Sequence, residues 1–349
     1  VIGPLADDGY EQMGTWVFDG DPGLSETPLQ AIREFAGEKF TVQHVRAMPT
    51  TRSRTTKAFD KAVAAARSSD VVVAFLGEEA ILSGEAHSRA DISLPGNQLE
   101  LLRRLHATGK PVITVIMAGR PLTLMHVVEY SDAILFAWHP GSMGGPAISD
   151  ILFGVESPSG KLPVTFPRMV GQVPIYYSHK NTGKPASDET YQHIDDIPPR
   201  MPQTSSGFVS THLDAGFTPQ YPFGYGLSYT QFAYSDLRLS DTRIGMGETL
   251  TVKATVRNTG DTGGVEIVQL YIRDRVGSVT RPVRELKGFQ RVRLEPGERR
   301  EVSFQLTAGD LSFYGPDMKL TTEPGEFDVW LGGDSTAERH AVFRLAGSP

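Results

Sequence analysis

Glu78, Glu79, Glu85, His87, Arg89 and Asp91 crowd one stretch of this chain. Carboxyl groups can donate and accept protons or attack carbon, and a neighbouring Arg or His can orient them or bias their charge. The stretch follows a continuous apolar run, Val71-Val72-Val73-Ala74-Phe75-Leu76, that reads as a buried strand. It therefore sits at the carboxyl end of a strand, where open α/β folds place their chemistry. The loop from Gly77 to Asn97 is far longer than the ~2–6 residues of an ordinary βα connection, and loops of that length are usually functional. It ends in Ser93-Leu94-Pro95-Gly96-Asn97-Gln98, a stop and restart before the next helix. Within it, Ser83-Gly84-Glu85-Ala86-His87-Ser88-Arg89 presents Glu85 as a candidate acid or base, with His87 and Arg89 as groups that could hold the loop. By composition alone the same stretch also fits a solvated acidic surface loop.

A second candidate is Trp138-His139-Pro140-Gly141-Ser142-Met143-Gly144-Gly145, at a strand end and helix start. Helix N-termini can bind anions. The spacing, however, matches neither the dinucleotide nor the P-loop pattern, and glycines that let a helix start close to its neighbours explain it as well. Trp138 could serve as a sugar-stacking platform or belong to the core. Pro158 to Pro167 and Tyr221 to Thr230 hold no plausible acid, base or nucleophile and read as rigid connectors. His44, His106, His126, His179, His193 and His212 show no metal-ligand spacing, so no metal or other cofactor is expected. Gly141-Ser142-Met143-Gly144 lacks the form of a nucleophile elbow.

The elements that must position these residues fall into two patterns. Up to about residue 168, helical and strand periodicities alternate. Helices are expected from a Ser25 cap to Ala36, and over Lys57 to Arg67, Asn97 to Ala107, Leu122 to Glu129 and Gly145 to Phe153. Strands are expected at Phe40 to Val45, Val71 to Leu76, Pro111 to Ile116 and Ala133 to Ala137. Such uniformly apolar strands imply a mostly parallel sheet covered by helices on both faces, an α/β three-layer sandwich over residues 1–177. Residues 178–231 lack sustained periodicity and are rich in Pro, Gly, Ser, Thr and Asp, as a linker would be. From 232 to 349, short runs such as Leu250 to Val256, Val265 to Ile272, Leu286 to Leu294 and Glu301 to Leu306 alternate apolar and polar residues between turn sequences. That spacing argues an all-β immunoglobulin-like sandwich of the fibronectin type III kind.

At 349 residues the chain can hold two or three domains with sizeable cores. A net charge of -7 argues against a nucleic-acid partner. No apolar run reaches the ~20 residues of a membrane span. The absence of cysteine excludes disulfides and thiolate metal sites without deciding the compartment. Val1-Ile2-Gly3-Pro4 reads as a strand running into a turn, with no signal peptide, so the chain is expected to be part of a longer polypeptide.

Taken in order, Val1 to Ala6, Ser83 to Arg89 with Leu94-Pro95-Gly96, Pro158 to Pro167, Tyr221 to Thr230 and Arg281 to Phe289 resemble the C-terminal part of the family 3 glycoside hydrolases, the β-glucosidases and β-xylosidases. Val173 to His179 makes the likeness strongest to the bacterial periplasmic β-glucosidases. The resemblance implies an N-terminal (β/α)8 barrel outside this chain that carries an Asp nucleophile, followed by the two domains present here, an α/β sandwich of about six strands and a fibronectin III-like domain. It implies retaining hydrolysis of β-glucosides, with Glu85 as general acid/base in the Gly84, Glu85, Arg89 setting. Glu78 or Glu79 stands as the alternative carboxylate, and Arg89 and His87 could instead pair with Asp91 or Glu79. It also implies a β-glucoside or oligosaccharide substrate, a barrel in the same protein or a companion chain, and a periplasmic or secreted location, and it allows a homodimer. A β-xylosidase and a non-catalytic scaffold or carbohydrate-binding portion are the alternatives in function.

Overall fold

A computed structural model describes residues 1–203 and 209–347, so five positions of the expected 178–231 linker lie outside the described residues. The chain forms two compact units, Val1–Glu156 with Pro167–Val173, and Ser157–Phe166 with Pro174–Pro349.

The first unit runs α1 (Pro28–Ala36), α2 (Phe59–Arg67), β1 (Val72–Gly77), α3 (Gln98–His106), β2 (Val112–Met117), α4 (Met125–Glu129), β3 (Ala133–Phe136) and α5 (Gly144–Leu152). The strands pair in parallel in the order β1-β2-β3. Single bridges extend the sheet beyond β1 to Ile2 and then Val45. The strand expected at Phe40 to Val45 is reduced to that one bridge, with Phe40 exposed. Alternation along β1 and β2 sends Phe75, Val115 and Met117 into a cluster with Ile32 of α1 and Ile148 of α5. Leu101, Leu102 and Leu105 of α3 and Phe59, Ala62 and Ala66 of α2 are likewise buried. β1 and β2 are thus almost wholly buried, whereas β3, paired on one side only, is exposed at Ala133 and half-buried beyond it. Gly77 takes a φ of 143°, and a Cβ there would lie 1.9 Å from the Met117 carbonyl oxygen, so glycine is what keeps β1 against β2 to its last residue.

The α1 cap is Thr27 rather than the expected Ser25, which instead closes a preceding 3-10 turn. Thr27 Oγ1 accepts from the Gln30 amide at 3.3 Å, and Gln30 Oε1 accepts from the Thr27 amide at 2.8 Å, a capping box with Pro28 as the first helical residue. Thr27→Ala is expected to lower stability by about 1 kcal/mol in chemical denaturation.

The second unit is a β-sandwich built from β4 (Phe232–Leu239), β5 (Arg243–Ile244), β6 (Thr249–Asn258), β7 (Gly264–Asp274), β8 (Glu285–Leu294), β9 (Arg299–Thr307), β10 (Phe313–Tyr314), β11 (Leu320–Thr321), β12 (Gly325–Gly332) and β13 (Arg339–Leu345). One sheet is ordered β5-β13-β12-β7-β8, the other β4-β6-β9, and β10 pairs with β11. Period-2 alternation puts Leu250, Val252, Ala254 and Val256 of β6 and Val302, Phe304 and Leu306 of β9 into one core with Leu270, Val329 and Phe343. The two Pro- and Gly-rich connectors pair with each other through Leu162 N to Tyr225 O and Gly224 N to Leu162 O, both 2.8 Å, and Phe166 N to Tyr221 O at 2.9 Å.

Candidate active site

The carboxyl ends of the three parallel strands meet: the Glu78 amide donates to Met117 O at 2.8 Å and the Ala118 amide to Trp138 O at 3.1 Å. The polar residues that follow each strand are thereby brought together. Trp138 makes the turn with a φ of 55° and sets its half-buried ring edge-on to Phe136, centroids 4.6 Å apart.

The two carboxylates at the start of the long loop are both engaged. The side chain of Glu78 is fully buried; one oxygen accepts from Arg89, the other from Arg120 Nε at 3.0 Å. Glu79 accepts the Arg52 fork at 2.8 and 3.0 Å and the Thr51 hydroxyl at 2.8 Å. Burial works to raise the Glu79 carboxyl, but the Arg52 and Thr51 donors prevail and hold it below its ordinary value. The Ala80 amide donates to Glu11 Oε2 at 2.5 Å, and burial lifts the Glu11 carboxyl above its ordinary value. The buried Gln98 amide group closes the far end of the loop, accepting from Gly77 N at 2.8 Å and donating to Gly77 O at 2.8 Å and Pro95 O at 3.0 Å.

Glu85 stands apart from this network. A 3-10 turn at Ala80–Ser83 leads into a tight turn in which the Gly84 amide donates to Ile81 O at 3.2 Å and the His87 amide to Gly84 O at 3.1 Å. Ala86 adopts a φ of 61°. Glu85 sits at the apex, exposed, and its carboxylate has no hydrogen-bond or ion-pair partner among the described residues. His87 is also exposed, with Nδ1 2.6 Å from Ile81 O. Arg89 does not pair with Asp91 or Glu79; it joins Glu78 and donates to Ser93 O at 3.0 Å, while Asp91 accepts from the Ser93 amide at 2.9 Å.

Glu11, Ser83, Arg120 and His139 also belong to this cluster, although residue type and spacing single out none of them as a site residue. Arg120 follows β2 in Ala118-Gly119-Arg120-Pro121, and the rule that ligand sites gather at strand carboxyl ends would have pointed to it. His139 lies against Gly14 and Gly119, with Nε2 3.1 Å from the Ser83 hydroxyl. Burial holds His139 below its ordinary 6.5, outweighing the pull of Glu78. The folded state then takes up this proton less readily than the unfolded one, so the contribution of His139 to stability is complete above 6.5 and is lost as pH falls below it. Stability measured by urea unfolding should fall as pH drops below about 6.5, and His139→Gln should shallow that slope without abolishing it, because burial also depresses His44.

Comparison with known proteins places this geometry in context. Residues 1–229 match the profile described as the glycosyl hydrolase family 3 C-terminal domain, and residues 266–335 match a fibronectin type III-like domain. The chain is 39% identical to the periplasmic beta-glucosidase of Salmonella typhimurium, covering 99% of this chain and 46% of that protein. It is 36% identical to a beta-xylosidase of Formosa agariphila, covering 97% and 44% respectively. Among solved structures, the beta-glucosidase of Listeria innocua in complex with isofagomine superposes with a TM-score of 0.88 at 34% identity, over 99% of this chain and 46% of that one. The chain thus spans about half the length of the curated relatives it matches. No described helix is long and apolar enough to cross a membrane.

Proposed function

This chain belongs to glycosyl hydrolase family 3, and we propose that it is part of a retaining β-glucosidase acting on terminal β-D-glucosyl residues, with Glu85 as its general acid/base. The observation that carries this reading is the contrast among the carboxylates at the head of the loop. Glu78 and Glu79 are committed to arginines, whereas Glu85 is held out at a braced turn with its carboxylate free to meet a substrate. The nucleophile is an Asp on a (β/α)8 barrel outside this chain, in the same protein or a companion chain. That Asp attacks the anomeric carbon while Glu85 protonates the departing glycosidic oxygen. Glu85 then takes a proton from the water that displaces the Asp, which requires the two carboxyls about 5–5.5 Å apart. Arg89, through Glu78, and His87, through Ile81 O, orient the loop. The indole of Trp138 is a platform for a sugar ring. A periplasmic or secreted location is supported by the Salmonella relative.

The Formosa relative favours a second reading, a β-xylosidase. Rates on 4-nitrophenyl β-D-glucoside and β-D-xyloside, measured with the barrel portion present, separate the two. The glucoside is expected to be turned over with the higher kcat/KM, and a preference for the xyloside would reverse the assignment. The chain without a barrel is expected to hydrolyse neither.

A further inference from the structure

We infer that Arg120 is a positioning residue for Glu85, its guanidinium tying together the two stems of the turn that carries the carboxylate. The inference rests on the reading of Glu85 as the acid/base. Arg120 extends from the end of β2 and donates through one terminal nitrogen to Leu82 O and, at 3.0 Å, to His87 O. Those two carbonyls stand immediately before and after Ser83-Gly84-Glu85-Ala86. Its Nε donates to Glu78 at the end of β1, and the other Glu78 oxygen is held by Arg89, which reaches forward to Ser93 O. One buried carboxylate and two arginines therefore fix the loop to two strand ends and to its own returning limb.

Two features make this arrangement more than packing. Arg120 is only 17% exposed, so its charge-assisted bonds act in a poorly solvated setting where geometry is strongly enforced. The turn also contains a non-glycine residue in the left-handed region, Ala86, so its local bonds work against strain and an external tie has something to hold. A planar fork reaching two carbonyls and a carboxylate at once is a task for arginine and not for lysine, whose single ammonium cannot span the same set.

Amide hydrogen exchange on this chain tests the positioning directly. Arg120→Lys, which keeps a charge beside Glu78, should speed exchange at the Gly84 and His87 amides by about tenfold or more while β1 and β2 amides keep their protection; Arg120→Ala should do so more strongly. Unchanged exchange at Gly84 and His87 in Arg120→Lys overturns the inference, as does a loss of protection spread evenly over β1, β2 and the turn. With the barrel present, Arg120→Lys should lower kcat by about 10²-fold with little change in KM, the signature of a displaced catalytic group. Faster exchange at the turn together with unchanged turnover in Glu85→Gln would retain the tie and remove only the proton-transfer role of Glu85.

Discussion

Glu85→Gln is expected to reduce kcat for glucosides with poorly departing aglycones by about 10²–10⁴-fold, the usual contribution of a positioned general acid or base. The effect should shrink for activated aryl glucosides, whose leaving group needs no proton, and azide should restore turnover of those substrates by replacing the water that Glu85 activates. The structure adds a control. Glu85 is exposed and has no partner among the described residues, so removing its charge should leave stability within about 0.5 kcal/mol. A loss of activity then reports on chemistry and not on folding. Unchanged turnover would return the role to another carboxylate, and Glu78 and Glu79 are poorly placed to take it because each is held by arginine.

Glu78→Gln is expected to show the opposite profile, a loss of about 3–5 kcal/mol in the stability of the first unit, because truncating a buried ion pair strands its partners. The Glu78 side chain is fully buried, and Arg89 and Arg120 would be left at 19% and 17% exposure facing an amide. Urea unfolding of this chain measures it, and the midpoint should fall while the slope stays unchanged. A shift below about 1 kcal/mol would mean that water replaces the carboxylate at little cost, and that the cluster is weaker than its geometry indicates.

The α/β unit and the sandwich were legible in the sequence because each rests on a periodicity. Phe75 and Val115 lie in continuous apolar runs, and Leu250, Val252, Ala254 and Val256 alternate with polar residues. Local competition was harder to read. Ser25 and Thr27 are both good caps, and Thr27 prevails because Gln30 stands where a capping box needs it and Pro28 where a helix begins. Phe40 to Val45 has a strand-like composition but, among the described residues, bridges only to Ile2 through Val45. The site was the least legible part. The Glu78 ion pairs join residues 11 and 42 positions apart, and no one-dimensional pattern says which arginine a carboxylate will meet. The loop's length and its place after a strand marked the region. The preference for Glu85 within it comes from the resemblance; what the fold adds is that Glu78 and Glu79 are paired with arginines while Glu85 is exposed.

The most direct measurement is a structure of the enzyme, barrel included, with an unhydrolysed β-glucoside bound. The account predicts the Glu85 carboxyl within about 2.6–3.2 Å of the glycosidic oxygen, or joined to it by one water, with the turn still closed by Arg120. A Glu85 carboxyl farther than one water from that oxygen, with another group in its place, would contradict it.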